Sequence, residues 1–205
     1  MLLKVKTLVN NPIASNCHII YDSLKRRGIV VDPGSEDPNK ITSFIKEHDI
    51  RIDYVILTHE HFDHIWSSDV ICAPVLCTRE CSILVGDAKH NLSFFFNQQG
   101  FILDLDTQCV EDLETPFEWN NHHLTFYKNG AHSPGGLMFV IDRYVVTGDL
   151  LIKDLKTVTK LKSSKKEELP SVIYWLQNLK GRGLTVLAGH GDSFELDNYD
   201  LNKIY

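Results

Sequence analysis

Tyr54-Val-Ile-Leu-Thr58 runs directly into Thr58-His-Glu-His-Phe-Asp-His-Ile-Trp66, placing three histidines, a glutamate and an aspartate within nine positions of an apolar segment. The apolar part begins at Ile52 and is continuous rather than alternating, as expected of a strand buried on both faces. The polar cluster therefore falls at the C-terminal end of a central strand, where α/β sheets commonly carry their chemistry. In extended chain, His59 and His61 are two residues apart and project to the same side, so both can reach one ion. Asp63 and His64 come after the chain has begun to turn and can face a second position. Imidazole and carboxylate together suit zinc, iron or manganese. Four donors from one loop are too many for a single ion that must keep an open coordination position. They are too few for two ions, so the rest of the chain must contribute.

Working outward from this stretch, the first third reads as strands over 2–9, 16–22 and 28–34, with Asp32-Pro33-Gly34 as a turn, and a helix near Pro38 to His48. A short strand at 74–78 and a helix near Arg79 to Val85 follow the cluster. Strands then recur at 122–129, 136–142, 143–149 and 185–192, with a helix over Lys165 to Leu179 before the last. This order suggests two sheets packed together and covered on the outside by helices.

Three further polar residues share the context of an apolar strand followed by a turn. His132 stands in Gly130-Ala-His-Ser-Pro-Gly-Gly136, Asp149 follows Val145-Val-Thr-Gly148, and His190 ends Thr185-Val-Leu-Ala-Gly-His190. An aspartate in such a place often caps a helix, but its companions favour a metal role. His18, His48, His90, His122 and His123 lack acidic or glycine context and read as structural or surface residues.

With 205 residues, 43% of them hydrophobic, one core and a single domain spanning 1–205 are expected. The net charge of −6 argues against a nucleic-acid partner. Lys153 to Lys166, with Lys156, Lys160, Lys162 and Lys165 between, reads as a solvated face. The alternation in the first ten residues suits a strand rather than a signal peptide, and no apolar run approaches the roughly 20 residues of a membrane span. Five cysteines without a Cys-x-x-Cys pair suit a reducing cytosol, hence a cytoplasmic protein. Cys72, Cys77 and Cys81 read as small buried residues rather than a zinc knuckle.

In their order, Thr58-His-Glu-His-Phe-Asp-His64, Gly130-Ala-His-Ser-Pro-Gly-Gly136, Thr147-Gly-Asp-Leu-Leu151 and Ala188-Gly-His-Gly-Asp192, with Val30-Val-Asp-Pro-Gly34 upstream, resemble the metallo-β-lactamase-fold hydrolases. The likeness runs from the first strand to His190 and is nearest to the glyoxalase-II-like branch, which includes hydroxyacylglutathione hydrolases. It implies a four-layer αβ/βα sandwich, two mixed sheets with helices on the outer faces. It also implies that His59, His61 and His132 hold one divalent ion, that Asp63, His64 and His190 hold a second, and that Asp149 bridges them, with Asp32 supporting the site. Zinc is the expected metal, with iron or manganese as alternatives. A shared hydroxide, oriented by Asp63 as a catalytic residue, would attack the ester or thioester carbonyl of a small-molecule substrate.

Activity on β-lactams, lactones or phosphodiesters is an alternative use of the same donors. So are a mononuclear iron persulfide dioxygenase and a non-catalytic metal-binding protein. No tyrosine closely follows Asp149, which disfavours a lactonase. The chain also lacks the arginine- and phenylalanine-rich stretch of glyoxalase II after the bridging aspartate. Specificity is expected from 86–119, where Phe94, Phe95, Phe96 and Phe101 either line an apolar pocket or pack beneath outer helices. Trp66 either borders the site or anchors the core, and Lys153 either meets a substrate carboxylate or is solvated. The sequence does not set an oligomeric state.

Overall fold

A computed structural model of the protein describes residues 3–161 and 163–205, so Met1, Leu2 and Lys162 lie outside the described residues. In chain order the strands of the first half are β1 (Lys4–Val9), β2 (Asn16–Asp22), β3 (Arg27–Val31), β4 (Arg51–Ile56), β5 (Val75–Cys77) and β6 (Thr107–Cys109). Those of the second half are β7 (Phe117–Trp119), β8 (His122–Lys128), β9 (Leu137–Ile141), β10 (Tyr144–Gly148), β11 (Thr185–Ala188) and β12 (Phe194–Glu195). Helices are α1 (Asn39–Glu47), α2 (Phe62–Ile65), α3 (Arg79–Leu84), α4 (Ser93–Asn97) and α5 (Leu169–Leu179).

Two mixed six-stranded sheets result, ordered β1-β2-β3-β4-β5-β6 and β12-β11-β10-β9-β8-β7. The strand that precedes the histidine cluster, β4, is interior to its sheet and runs parallel to both neighbours.

Alternation within each buried strand sorts its side chains between two cores. Ile29 and Val31 of β3 face a core between the sheets, with Ile56, Leu137, Phe139, Ile141 and Val146. Val30, Val55 and Leu57 face the other way, toward Ile41 of α1 and Cys81 and Val85 at α3. Met138, Val140, Val145 and Val186 turn outward onto Leu169, Val172, Leu176 and Leu179 of α5. The layers are therefore helix, sheet, sheet, helix, the αβ/βα sandwich that the motifs imply. An apolar run without alternation was the right sign of such doubly covered strands.

The ends of the sheets nearest the cluster are joined to each other. Asn16 at the start of β2 donates through Nδ2 to the carbonyls of Ala188 and Gly191, at 3.0 and 2.7 Å. The buried His18 ring lies 3.0 Å from the Ala188 carbonyl and 2.9 Å from Thr7 Oγ1. Leu137 N–H, on the second sheet, donates to the Thr58 carbonyl at 2.7 Å.

Several expected boundaries shift. The helix expected from Lys165 has a 3-10 turn at Lys166–Glu168 and becomes α-helical only at Leu169, because Pro170 has no N–H and fits only a first turn. The strand expected through Thr58 ends at Ile56. Strands β6, β7 and β12 have two or three residues each, too few to show a period. Cys77 and Cys81 are buried thiols as expected, whereas Cys72 is exposed. No described helix is long and apolar enough to cross a membrane.

Candidate metal centre

All seven residues singled out from the sequence meet at one end of the sandwich. His59 and His61 follow the end of β4, His61 in extended backbone, and their rings lie 4.5 Å apart between centroids. The chain then turns into α2, which carries Asp63 and His64. His132 comes from the loop between β8 and β9, Asp149 follows Gly148 of β10, and His190 follows the end of β11. Loop ends of both sheets thus supply the donors. Three groups place one donor atom from each member within 4.8 Å of the others: His59, His61 and His132; His59, His64 and Asp149; Asp63, His64 and His190.

The carboxylate of Asp149 stands centrally. Its oxygens lie 3.6 Å from His64 Nε2, 3.6 Å from His132 Nε2 and 3.5 Å from His190 Nε2. Asp63 Oδ2 lies 3.5 Å from His64 Nε2 and 3.4 Å from His190 Nε2. His132 Nε2 is 3.1 Å from His61 Nδ1.

Outward-facing bonds settle which nitrogen points in. Nδ1 of His132 donates to the Val158 carbonyl at 2.9 Å, and Nδ1 of His190 to the Ala14 carbonyl at 3.0 Å. His64 Nδ1 donates to Asp32 at 3.0 Å. The Thr58 hydroxyl gives its proton to Asp32 at 2.6 Å, so its oxygen can accept from His59 Nδ1 at 3.0 Å. Each of these rings presents Nε2 to the centre, with its tautomer set by the bond behind it. Asp32, the acidic residue expected to support the site, orients two rings at once. It holds an unusual left-handed backbone at φ 51° while doing so.

Electrostatics divide the cluster. Burial, then the neighbouring imidazoles, holds His59 well below the ordinary histidine range. Burial and His132 hold His61 at about 3, and burial also lowers His132. Burial opposes the charge of His64 and His190, but nearby carboxylates outweigh it and push them up to about 9 and about 10. Burial likewise opposes ionisation of Asp149 and Asp63, yet His64 and His190 hold both carboxyls below their usual value.

Do these residues fit metal ions? Nε2 of His59, Nε2 of His64 and Oδ1 of Asp149 are buried without a hydrogen-bond partner among the described residues. One such atom costs about 1–3 kcal/mol, so three at one point make a strained hydrogen-bond network but ordinary ligands. The donor set fits.

Supporting residues appear that the sequence did not single out. Glu60 is buried and accepts from Ser133 Oγ at 3.1 Å and Gly135 N at 3.2 Å, tying the β4 loop to the loop of His132. Burial raises its carboxyl above the usual range. A Cβ on Gly189 would stand 2.1 Å from Asp149 Oδ1 and 2.9 Å from His64 Cε1, so the backbone there passes too close for any side chain. Glu60 had a signal, an acid inside a buried loop; Gly189 had only its place before His190.

The five other histidines have partners elsewhere: His18 as above, His48 on Phe44, His90 on Asp87, His122 on Asp142 and His123 on Glu118. Trp66 is half-buried and packs on Phe101 with centroids 4.9 Å apart, while Lys153 is solvent-exposed. Phe94, Phe95 and Phe96 are not beneath outer helices but exposed, at 38%, 66% and 43%. The helix that carries them, α4, has five residues between left-handed Leu92 and Gln98, too short to bury a face.

The chain belongs to the metallo-beta-lactamase superfamily, whose family model matches residues 10–197. A probable metallo-hydrolase of Streptococcus pyogenes is 28% identical over 94% of this chain and 86% of its own. A probable polyketide biosynthesis zinc-dependent hydrolase of Bacillus subtilis is 26% identical over 85% of this chain and 72% of its own. Among solved structures, the B3 metallo-beta-lactamase BLEG-1 superposes with a TM-score of 0.84 at 21% identity, covering 94% of each chain. Fold, donor cluster and relatives together define a metallo-hydrolase of this superfamily.

Proposed function

We propose that the protein is a dinuclear metal-dependent hydrolase of esters or thioesters, of glyoxalase-II-like character. One observation carries the reading: donors from both sheets converge, with His59 Nε2, His64 Nε2 and Asp149 Oδ1 buried and unpartnered among the described residues. His59, His61 and His132 would hold one ion, Asp63, His64 and His190 the other, and Asp149, within 3.6 Å of rings from both groups, would bridge them. Zinc is favoured by the zinc-dependent relative, and iron or manganese suits the same donors.

Divalent ions bound there supply a Lewis acid for the carbonyl oxygen and acidify a water. The chain's own part is to hold and orient. Asp63, ionised and at the wall of an adjoining pocket, accepts a hydrogen bond from the attacking water and aims it. Asp32 and Thr58 keep His64 and His59 from turning away.

The test is metal analysis together with hydrolysis of S-lactoylglutathione and p-nitrophenyl esters by zinc- or manganese-loaded protein. Two ions per chain and turnover that falls at least about a hundredfold in His190→Ala are expected. Two ions bound without turnover on any ester or thioester would refute hydrolysis of this class. One iron per chain with oxygen uptake on a persulfide would replace it with a dioxygenase.

A further inference from the structure

Next to the metal centre lies a pocket of about 590 Å³, within the roughly 300–1,000 Å³ typical of ligand sites. Ile13, Phe62, Leu92, Phe95, Phe96 and Leu161 make its wall apolar. Asp63 is part of the same wall, so the pocket opens on the residue that would aim the water. Large aromatic side chains left in solvent are the informative exception in a folded chain, and here they are gathered at the pocket.

Lys89 and Lys160 complete the lining, and both are exposed. The ion pairs of described lysines are made by Lys128, Lys165 and Lys203, not by these two. The Lys89 ammonium lies 5.8 Å from the centroid of Phe94 instead. In a chain of net charge −6, two ammonium groups without carboxylate partners among the described residues line an apolar pocket that Asp63 also lines. A lining of that chemistry suits a ligand that combines an electrophilic carbonyl, an apolar stretch and an anionic group.

We infer that the substrate is an anionic amphiphile: an ester or thioester whose acyl chain lies along Phe62, Phe95 and Phe96 and ends in a carboxylate, phosphate or sulfonate held by Lys89 and Lys160. The inference rests on the hydrolase reading for its chemistry but on the pocket for its specificity. It assigns selectivity to the 89–96 segment and to one lysine of a run that reads, in sequence, as a solvated face.

Binding and turnover are measured separately so that the two readings fail separately. Octanesulfonate, a weak metal ligand, is titrated calorimetrically into the zinc-loaded protein, with butanesulfonate as the short-chain control. Octanesulfonate binds at least about tenfold more tightly than butanesulfonate, and Lys89→Met with Lys160→Met weakens it about tenfold. Phe96→Ala weakens it as well. In parallel, p-nitrophenyl hydrogen adipate is compared with p-nitrophenyl hexanoate, which has the same chain without the terminal carboxylate. The wild type prefers the adipate through KM, and the double lysine variant loses that preference.

Octanesulfonate binding that depends on the lysines and Phe96, with no ester turned over, sinks the hydrolase reading and leaves the pocket's ligand class standing. Turnover with no chain-length dependence, or a preference that survives loss of both lysines, overturns the pocket proposal and leaves the hydrolase. A dimer in sedimentation that Phe95→Ala dissociates, without octanesulfonate binding, overturns it in favour of a second copy covering the aromatics.

Discussion

At the scale of single residues, Asp32 makes the sharpest prediction. It accepts from Thr58 N, Thr58 Oγ1 and His64 Nδ1. Asp32→Asn keeps the shape but puts an amide where an acceptor is required, so His64 and the Thr58 link to His59 lose their common anchor. Zinc affinity, measured against a chelating dye, is expected to fall about 10- to 100-fold with an unchanged circular dichroism spectrum. Unchanged affinity would mean that packing alone orients the rings. A second prediction concerns pH. Without metal, His64 and His190 are raised to about 9 and about 10, so both carry protons at neutral pH. An ion entering between them must displace those protons, and its affinity rises with pH by on the order of one decade per unit for each. His59, His61 and His132 are lowered and already neutral, so their ion meets no such competition. Equilibrium dialysis at pH 6 should find the second ion lost first, and parallel loss of both would contradict the assignment.

At the scale of elements, α5 is held by an apolar stripe of Leu169, Val172, Leu176 and Leu179 against the outer face of the second sheet. Leu176 has no exposed surface. Leu176→Ala should lower stability by about 2–5 kcal/mol in denaturant titration. Because α5 carries none of the cluster donors, zinc stoichiometry should stay at its wild-type value. A drop in stoichiometry in the folded variant would show that the helix helps to position the centre. The short α2 works differently. It is one turn whose role is to swing Asp63 and His64 away from the line of His59 and His61, and its sequence carries donors rather than an apolar period.

At the scale of the whole molecule, the centre would also act as a fastener once ions are bound. His59, His61, Asp63 and His64 come from the first sheet, and His132, Asp149 and His190 from the second. Ions bound across that seam stabilise the native state alone, by about 2.7 kcal/mol when free metal is a hundred times Kd. Chelation should therefore lower Tm by several degrees, at about 2–4 °C per kcal/mol for a chain of this size. An unchanged Tm after verified metal removal would show that the contacts of Asn16 and His18 with Ala188 already hold the sheets together.

Much of this was legible in the chain itself. The continuous apolar run at β4 told of a strand covered on both faces, and polar residues at strand ends told where the candidate ligands would gather. Period and chemistry are local, and a sequence displays what is local. The support around the donors was less legible. Thr58 and Gly189 act through contacts with residues far along the chain, and no spacing announces them. Phe95, Phe96, Lys89, Lys160 and Leu161 likewise form one pocket only because two separate loops fold to the same side of Asp63. The sequence by itself determined the sandwich, the seven residues that gather at one end of it and the chemistry such residue types suit. Only the tertiary structure decided which nitrogen each ring presents, that α4 leaves its phenylalanines exposed, and which lysines face the site. Those outcomes depend on distances between segments, which pairwise folding sets and linear order does not.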